Sequence, residues 1–213
     1  MWEEVEMSIE LQNISLTYNP NTALERVVLD NVSMQVGQGK FVALIGNNGA
    51  GKSTLIKVIA GEEIVNSGKI VIDDQDCTNL PDFKRASLIS RVFQDPNKGT
   101  AKNLSVLENL IFANKRGIKR NFSLALKNDS REFFRKKLQD LNVGLEDKLD
   151  VPAYMLSGGQ RQMLSLLMAV SRPAKILLLD EHTAALDPEA AKMVMQFTHQ
   201  LLKDYNITRC IKN

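Results

Sequence analysis

Apolar and polar positions change phase along the chain in a way that assigns most of its elements. Val32, Met34 and Val36 alternate with Ser33 and Gln35, the period of a half-buried strand, and Gly37-Gln38-Gly39 then supplies a turn. Phe41 to Ile45 is apolar on both faces, which predicts a strand in the middle of a parallel sheet with helices over both sides. Leu55, Ile56 and Ile59 make one stripe of a helix from Lys52 to Ala60, and Gly61 stands as its C-terminal stop. Ser67 to Ile72 and Leu88 to Phe93 read as short strands separated by polar turn residues and Pro81. Helical patterns then dominate: Val106 to Asn114, Arg131 to Leu141, and Gln160 to Ser171, which ends at Pro173. Ile176 to Leu179 returns to the buried-strand pattern, and Pro188 to Lys203 is a final helix. There is no internal repeat and no low-complexity segment.

Composition narrows the class. The 213 residues, 44% apolar and 24% charged, are ordinary for a globular chain of one domain and exclude disorder as the main state. With 27 basic and 25 acidic residues, no bulk charge drives the chain onto nucleic acid or lipid. The two cysteines, Cys77 and Cys210, lack any paired spacing and read as reduced thiols of a cytosolic protein. No apolar run approaches the roughly 18 residues of a membrane-spanning helix. Residues 1–10 carry four glutamates where an export signal would be basic and then apolar.

Chemistry concentrates in three places. Gly46-Asn47-Asn48-Gly49-Ala50-Gly51-Lys52-Ser53-Thr54 fits G-x-x-x-x-G-K-[ST] and lies between a predicted buried strand and a helix. Glycines there let backbone N–H groups close around phosphate oxygens, and the helix N-terminus adds partial positive charge. Lys52 suits the β- and γ-phosphates and Ser53 suits Mg2+. Ile176-Leu177-Leu178-Leu179-Asp180-Glu181 sets two acids at the end of a buried strand, where parallel strands line a ligand crevice. Asp180 suits a hold on Mg2+, and Glu181 a base for an attacking water. Leu156-Ser157-Gly158-Gly159-Gln160-Arg161-Gln162 opens an amphipathic helix; it reads either as helix punctuation or as a second phosphate site. Two such sites in one chain can meet across a two-fold dimer.

These motifs, with Gln94 after a strand and Ala185-Leu186-Asp187, resemble in their order the nucleotide-binding domain of an ATP-binding cassette (ABC) protein, over about residues 8 to 208. The resemblance implies an α/β P-loop NTPase fold: a mainly parallel sheet flanked by helices, an N-terminal antiparallel β-subdomain and a helical subdomain. The domain then spans 1–213, with the core and β-subdomain at about 1–95 and 173–213 and the helical subdomain at 96–172. It implies that Tyr18 stacks on adenine and that Gln94 links Mg2+ and the attacking water to the transport-domain contact. Ser157, Gly158, Gly159 and Gln160 would bind the γ-phosphate across a head-to-tail homodimer or paired ABC subunit, with Asp187 in the loop through which the sites communicate. The cofactors implied are ATP and Mg2+.

The function implied is the ATP-hydrolysing subunit of a membrane transporter, cytoplasmic and peripheral on the inner face of the membrane, driving solute through separate permease subunits. The solute is expected to be amino-acid-like and taken up, with a solute-binding protein as a further partner and no nucleic acid. The alternatives are a soluble ABC ATPase acting on ribosomes or DNA, and a hydrolysis-deficient nucleotide-binding module.

The sequence departs from the family's pattern at its end. A γ-phosphate histidine that follows the acid pair in the family is missing, so the C-terminus is expected to be incomplete and turnover severely reduced. Arg209-Cys210-Ile211-Lys212-Asn213 reads as a polar tail where an apolar strand should continue. His199 is expected on a helix face, and His182, where the family more often has proline, in a local loop role. Between Lys115 and Lys137, nine basic residues against two acidic ones read either as a solvated helical face or as a surface for anionic headgroups or a permease loop.

Overall fold

The computed structural model of the protein describes residues 7–115, 128–172, 174–204 and 208–212. The chain divides into two units, one of Met1–Arg91, Ala174–Asp180 and Asn206–Asn213, the other of Val92–Pro173 and Glu181–Tyr205.

The first unit carries β1 (Met7–Tyr18), β2 (Arg26–Gly37), β3 (Phe41–Leu44), α1 (Lys52–Ala60), β4 (Ser67–Ile72), β5 (Gln75–Asp76), α2 (Asp82–Arg85), β6 (Ile89–Val92), β7 (Ile176–Asp180) and β8 (Thr208–Lys212). One sheet is antiparallel in the order β2-β1-β4-β5, and the other runs β3-β8-β7-β6. β1 escapes a period-two reading because its buried residues change phase: Ile9 and Leu11, then Ile14 and Leu16. The register breaks between Leu11 and Ile14, where Asn13 takes φ 51°, so a bulge restores one buried face. α1 packs against β2 and β7, and its Ile56, Val58 and Ile59 join Ile14, Ile70, Ile72 and Leu178 in one core. Each such buried side chain contributes about 1.5–3 kcal/mol.

Two expectations about the second sheet are corrected. The run at β3 does not occupy the middle: among the described residues β3 is an edge, with Ala43 exposed and Ile45 83% exposed, while β7 is buried at all five positions. An apolar run alone does not distinguish edge from centre. Nor are the last residues a polar tail. β8 lies between β3 and β7, parallel to both, pairing Val42 with Cys210 and Leu178 with Cys210 on either side. Backbone N–H and C=O groups of both neighbours need that strand whatever its side chains. Thr208 and Cys210 bury on one face at 2% and 5% exposure, and the Thr208 hydroxyl accepts from Gly39 N at 2.9 Å. Cys77 and Cys210 are both buried and free, and burial pushes the Cys210 thiol up to about 11.

The second unit is helical: α3 (Pro96–Gly99), α4 (Val106–Asn114), α5 (Asn128–Leu141), α6 (Gly158–Val170) and α7 (Pro188–Asp204). α6 is its axis, packing against α3, α4 and α7 with Met163, Leu164, Leu166, Leu167 and Val170 buried. α4 starts at a reciprocal cap in which Ser105 Oγ accepts from Glu108 N and Glu108 accepts from Ser105 N. Ser105→Ala removes one half of it, and urea unfolding should read a loss of about 1 kcal/mol. No helix among the described residues is long and apolar enough to cross a membrane. Of the basic stretch from Lys115 to Lys137, residues 116–127 lie outside the described residues; Arg135 and Lys136 are exposed on α5, and Arg131 forks onto Asp150.

Candidate nucleotide site

In the first unit the loop from Ile45 to Gly51 leaves the end of β3 and enters α1. Ala50 N donates to Asn47 O at 3.2 Å, and Leu55 N to Gly51 O at 2.8 Å, which starts the helix. Gly51 sits at φ 81°, and a Cβ there would stand 2.8 Å from Val28 O on β2. Only glycine lets the loop lie this close to β2. α1 begins with no side-chain cap and no acid in its first turn, so its N-terminal amides and dipole face outward unsatisfied by any side chain. Gly46, Asn47, Asn48, Gly49, Ala50 and Ser53 are exposed, Thr54 is half-buried, and the Lys52 ammonium folds back onto Gly46 O. The loop is compatible with a phosphate chain: its exposed backbone leads into an uncapped helix N-terminus, with one lysine beside it.

Asp180 closes β7 at 8% exposure, and its Oδ2 accepts from Arg91 Nη2 at 3.0 Å. Arg91 also pairs with Glu62, just beyond α1. Sequence reasoning missed both partners. The available signal was a lone arginine among the buried Ile89, Ser90 and Val92 of β6, because a charge in a buried strand needs a counter-charge. No group of three His, Cys, Asp or Glu among the described residues could hold a metal ion. Ser53 at the start of α1 and Asp180 at the end of β7 offer one hydroxyl and one carboxylate, oxygen donors of the kind Mg2+ takes when it is carried on phosphates. Tyr18 ends β1, half-buried against the core, directly opposite Arg26.

In the second unit Gln94 is exposed after β6, and the segment beyond it is fastened to α6. Asp95 Oδ1 accepts from Asn97 N and Nδ2, hydrogen bonds that hold its carboxyl below the usual range. Asn97 Oδ1 in turn accepts from Arg161 at 2.7 Å, and Arg161 also donates to Ala153, Tyr154 and Leu156 carbonyls. Gln162, fully buried, donates to Phe93 O at 3.3 Å. Arg161 and Gln162 follow Gly159 and Gln160 at the start of α6, and their partners lie too far away in the chain for the sequence to name.

Ser157 caps α6. Its Oγ accepts from Gln160 N, while Gln160 Oε1 accepts from Ser157 N and from Lys148 Nζ. Ser157 and Gly158 are exposed, whereas Gly159 is buried and a Cβ on it would stand 3.1 Å from Ala190 Cβ, so the second glycine has a packing reason on α7. Glu181 follows Asp180 with φ 40°, a left-handed conformation that a glutamate adopts at a cost of about 1–3 kcal/mol. Asp187 Oδ1 accepts from Ala190 N at 2.9 Å and starts α7, and His199 is exposed on that helix.

His182 is buried beside α7, with Nε2 3.2 Å from Thr198 Oγ1. Thr198 gives its own proton to Val194 O, so Nε2 donates to Thr198 Oγ1. Burial pushes its pKa from 6.5 down to about 4. The unfolded chain therefore binds this proton first, and stability present above pH 6.5 drains as pH falls toward 4. The change is on the order of 3 kcal/mol. His182→Gln should flatten that part of the stability profile, read by denaturant melts across the window.

The family model for ABC transporters matches residues 29–184. The tyrosine transport ATP-binding protein of Clostridioides difficile is 38% identical over 200 residues, 94% of this chain and 79% of that protein. The phosphonates import ATP-binding protein PhnC of Lactococcus lactis subsp. lactis is 36% identical, over 94% of this chain and 80% of that protein. The ADP conformation of an ATP-binding cassette of an ABC transporter superposes with a TM-score of 0.78 at 27% identity, covering 97% of this chain and 81% of that one. The chain belongs to the ABC transporter family, as a P-loop ABC ATPase.

Proposed function

We propose that this ATPase is the Mg2+-dependent motor subunit of a transporter whose permease is a separate polypeptide, held at the inner face of the membrane. The carrying observation is the cradle at Gly46–Thr54, with Gly51 set against Val28 O and Lys52 at its mouth. In this reading the amides of residues 49–54 bind phosphate oxygens and Lys52 neutralises the β- and γ-phosphates. Ser53, Asp180 and Gln94 would hold Mg2+, which supplies charge neutralisation on the phosphates. Tyr18 supports adenine, and Glu181 takes the proton of the attacking water. Ser157, Gly158, Gly159 and Gln160 complete the site on a facing copy or a paired ABC subunit, each unit of the chain acting within a single nucleotide-binding domain.

The names of the relatives, tyrosine transport and phosphonates import, support an uptake system for a small amino-acid-like or anionic solute. The test is phosphate release by the full chain with Mg-ATP, alone and with the permease that co-purifies with it. Release that requires magnesium and is stimulated by the permease is the expected result. Ribosome or DNA association without a permease would overturn the transporter reading.

A further inference from the structure

We propose that Arg26 is a nucleotide-binding residue, its guanidinium gripping the phosphate chain from the β2 side of the loop. The proposal rests on the reading that Gly46–Thr54 binds nucleotide. Nη2 of Arg26 lies 3.6 Å from where a Cβ on Gly49 would stand. Gly49 is at φ 84°, so its bare Cα turns the loop under the guanidinium without a side chain between them. Two residues on, Val28 O is the group that Gly51 is fitted against, so β2 forms one wall of the cradle from Arg26 to Val28.

Register adds a second line. Arg26 is the cross-strand partner of Tyr18, and directly paired residues of an antiparallel ladder present their side chains on one face. With adenine on Tyr18 and phosphates on the loop amides, a cation beside Gly49 lies within reach of the phosphate oxygens that join them. Arg26 is exposed, and its guanidinium makes no side-chain hydrogen bond or ion pair among the described residues. A planar guanidinium there offers a forked grip on non-bridging phosphate oxygens that the loop amides leave open.

The experiment is calorimetric titration of the full chain with Mg-ATP and with ADP, for wild type, Arg26→Gln and Arg26→Lys, at low and high ionic strength. Adenosine is added in competition with a fluorescent ATP analogue. Arg26→Gln should weaken ATP and ADP about 5- to 10-fold at low salt, as for a charged hydrogen bond at a partly exposed site. The gap should narrow at high salt. Arg26→Lys keeps the charge but loses the fork and should recover only part of the affinity lost in Arg26→Gln, adenosine should be unaffected, and both variants should melt with wild type because the Arg26 side chain supports no neighbour. Wild-type ATP affinity in Arg26→Gln would overturn the proposal. An equal loss for adenosine would also overturn it, since the guanidinium would then serve the base. If wild type itself gives no ATP heat, the loop reading fails, a result distinct from either.

Discussion

Lys52→Ala should lower ATP affinity and phosphate release by about 100-fold or more, whereas Glu181→Gln should leave binding near wild type and lower release by about 10²- to 10⁴-fold. The two effects separate because the residues act on different states. Lys52 stands at the first turn of α1 with its ammonium on Gly46 O, a carbonyl that can be exchanged for phosphate oxygens without moving the loop. Its charge offsets the triphosphate in the ground state as well as in the transition state, so binding falls with rate. Glu181 has no such ground-state duty; its carboxylate is needed only when the water loses its proton. Calorimetry with Mg-ATP beside a phosphate-release assay reads both quantities. Retained hydrolysis in Glu181→Gln would remove Glu181 as the base, and retained affinity in Lys52→Ala would remove the cradle as the nucleotide site.

Arg85→Met should cost about 3–5 kcal/mol of stability and lower the melting temperature by roughly 10 °C. Arg85 is 1% exposed, the largest side chain buried to that extent among the described residues. Its Nη1 donates to Val58 O and Ile59 O at 2.8 Å each, its Nε to Leu80 O at 2.8 Å and its Nη2 to Thr78 O at 3.2 Å. Val58 and Ile59 belong to the last turn of α1, whose carbonyls carry the negative end of the dipole; the Gly61 amide reaches Val58 O at 3.2 Å, and Arg85 adds donors to both Val58 O and Ile59 O. Arg85 is thus a buried cationic cap on the far end of the helix whose near end opens the phosphate cradle. Gly61 at φ 85° makes room for it, since a Cβ there would stand 2.9 Å from Nε. Burial lowers the guanidinium's pKa from its ordinary value, and it stays charged at neutral pH. Methionine fills the volume but leaves Ile59 O and Leu80 O without the guanidinium and Val58 O with only the Gly61 amide; a thermal melt unchanged from wild type would show that the guanidinium cap does not stabilise the fold.

The limits of sequence reading here follow from how far apart partners lie. The glycine-rich loop, the acid pair and the capped start of α6 are legible because each is a run of consecutive residues, and local backbone geometry and helix ends obey short-range rules. Helices α1 and α4 fell at their observed bounds because their apolar stripes and stops are local too. β1 was passed over because a bulge at Asn13 breaks its alternation, a break that makes sense only against β2 and β4.

By itself, then, the amino-acid order determined the family and marked out Gly46–Thr54, Asp180 and Glu181 as candidate phosphate, Mg2+ and base residues. Only the tertiary structure decided that the last five described residues form a strand inside the parallel sheet rather than a tail. It alone paired Arg91 with Asp180, set Arg85 on the end of α1, and brought Arg26 over Gly49. The reason is physical. A buried charge or an unpaired strand edge is satisfied by whatever group the closed fold brings near, and no short stretch of chain specifies that group.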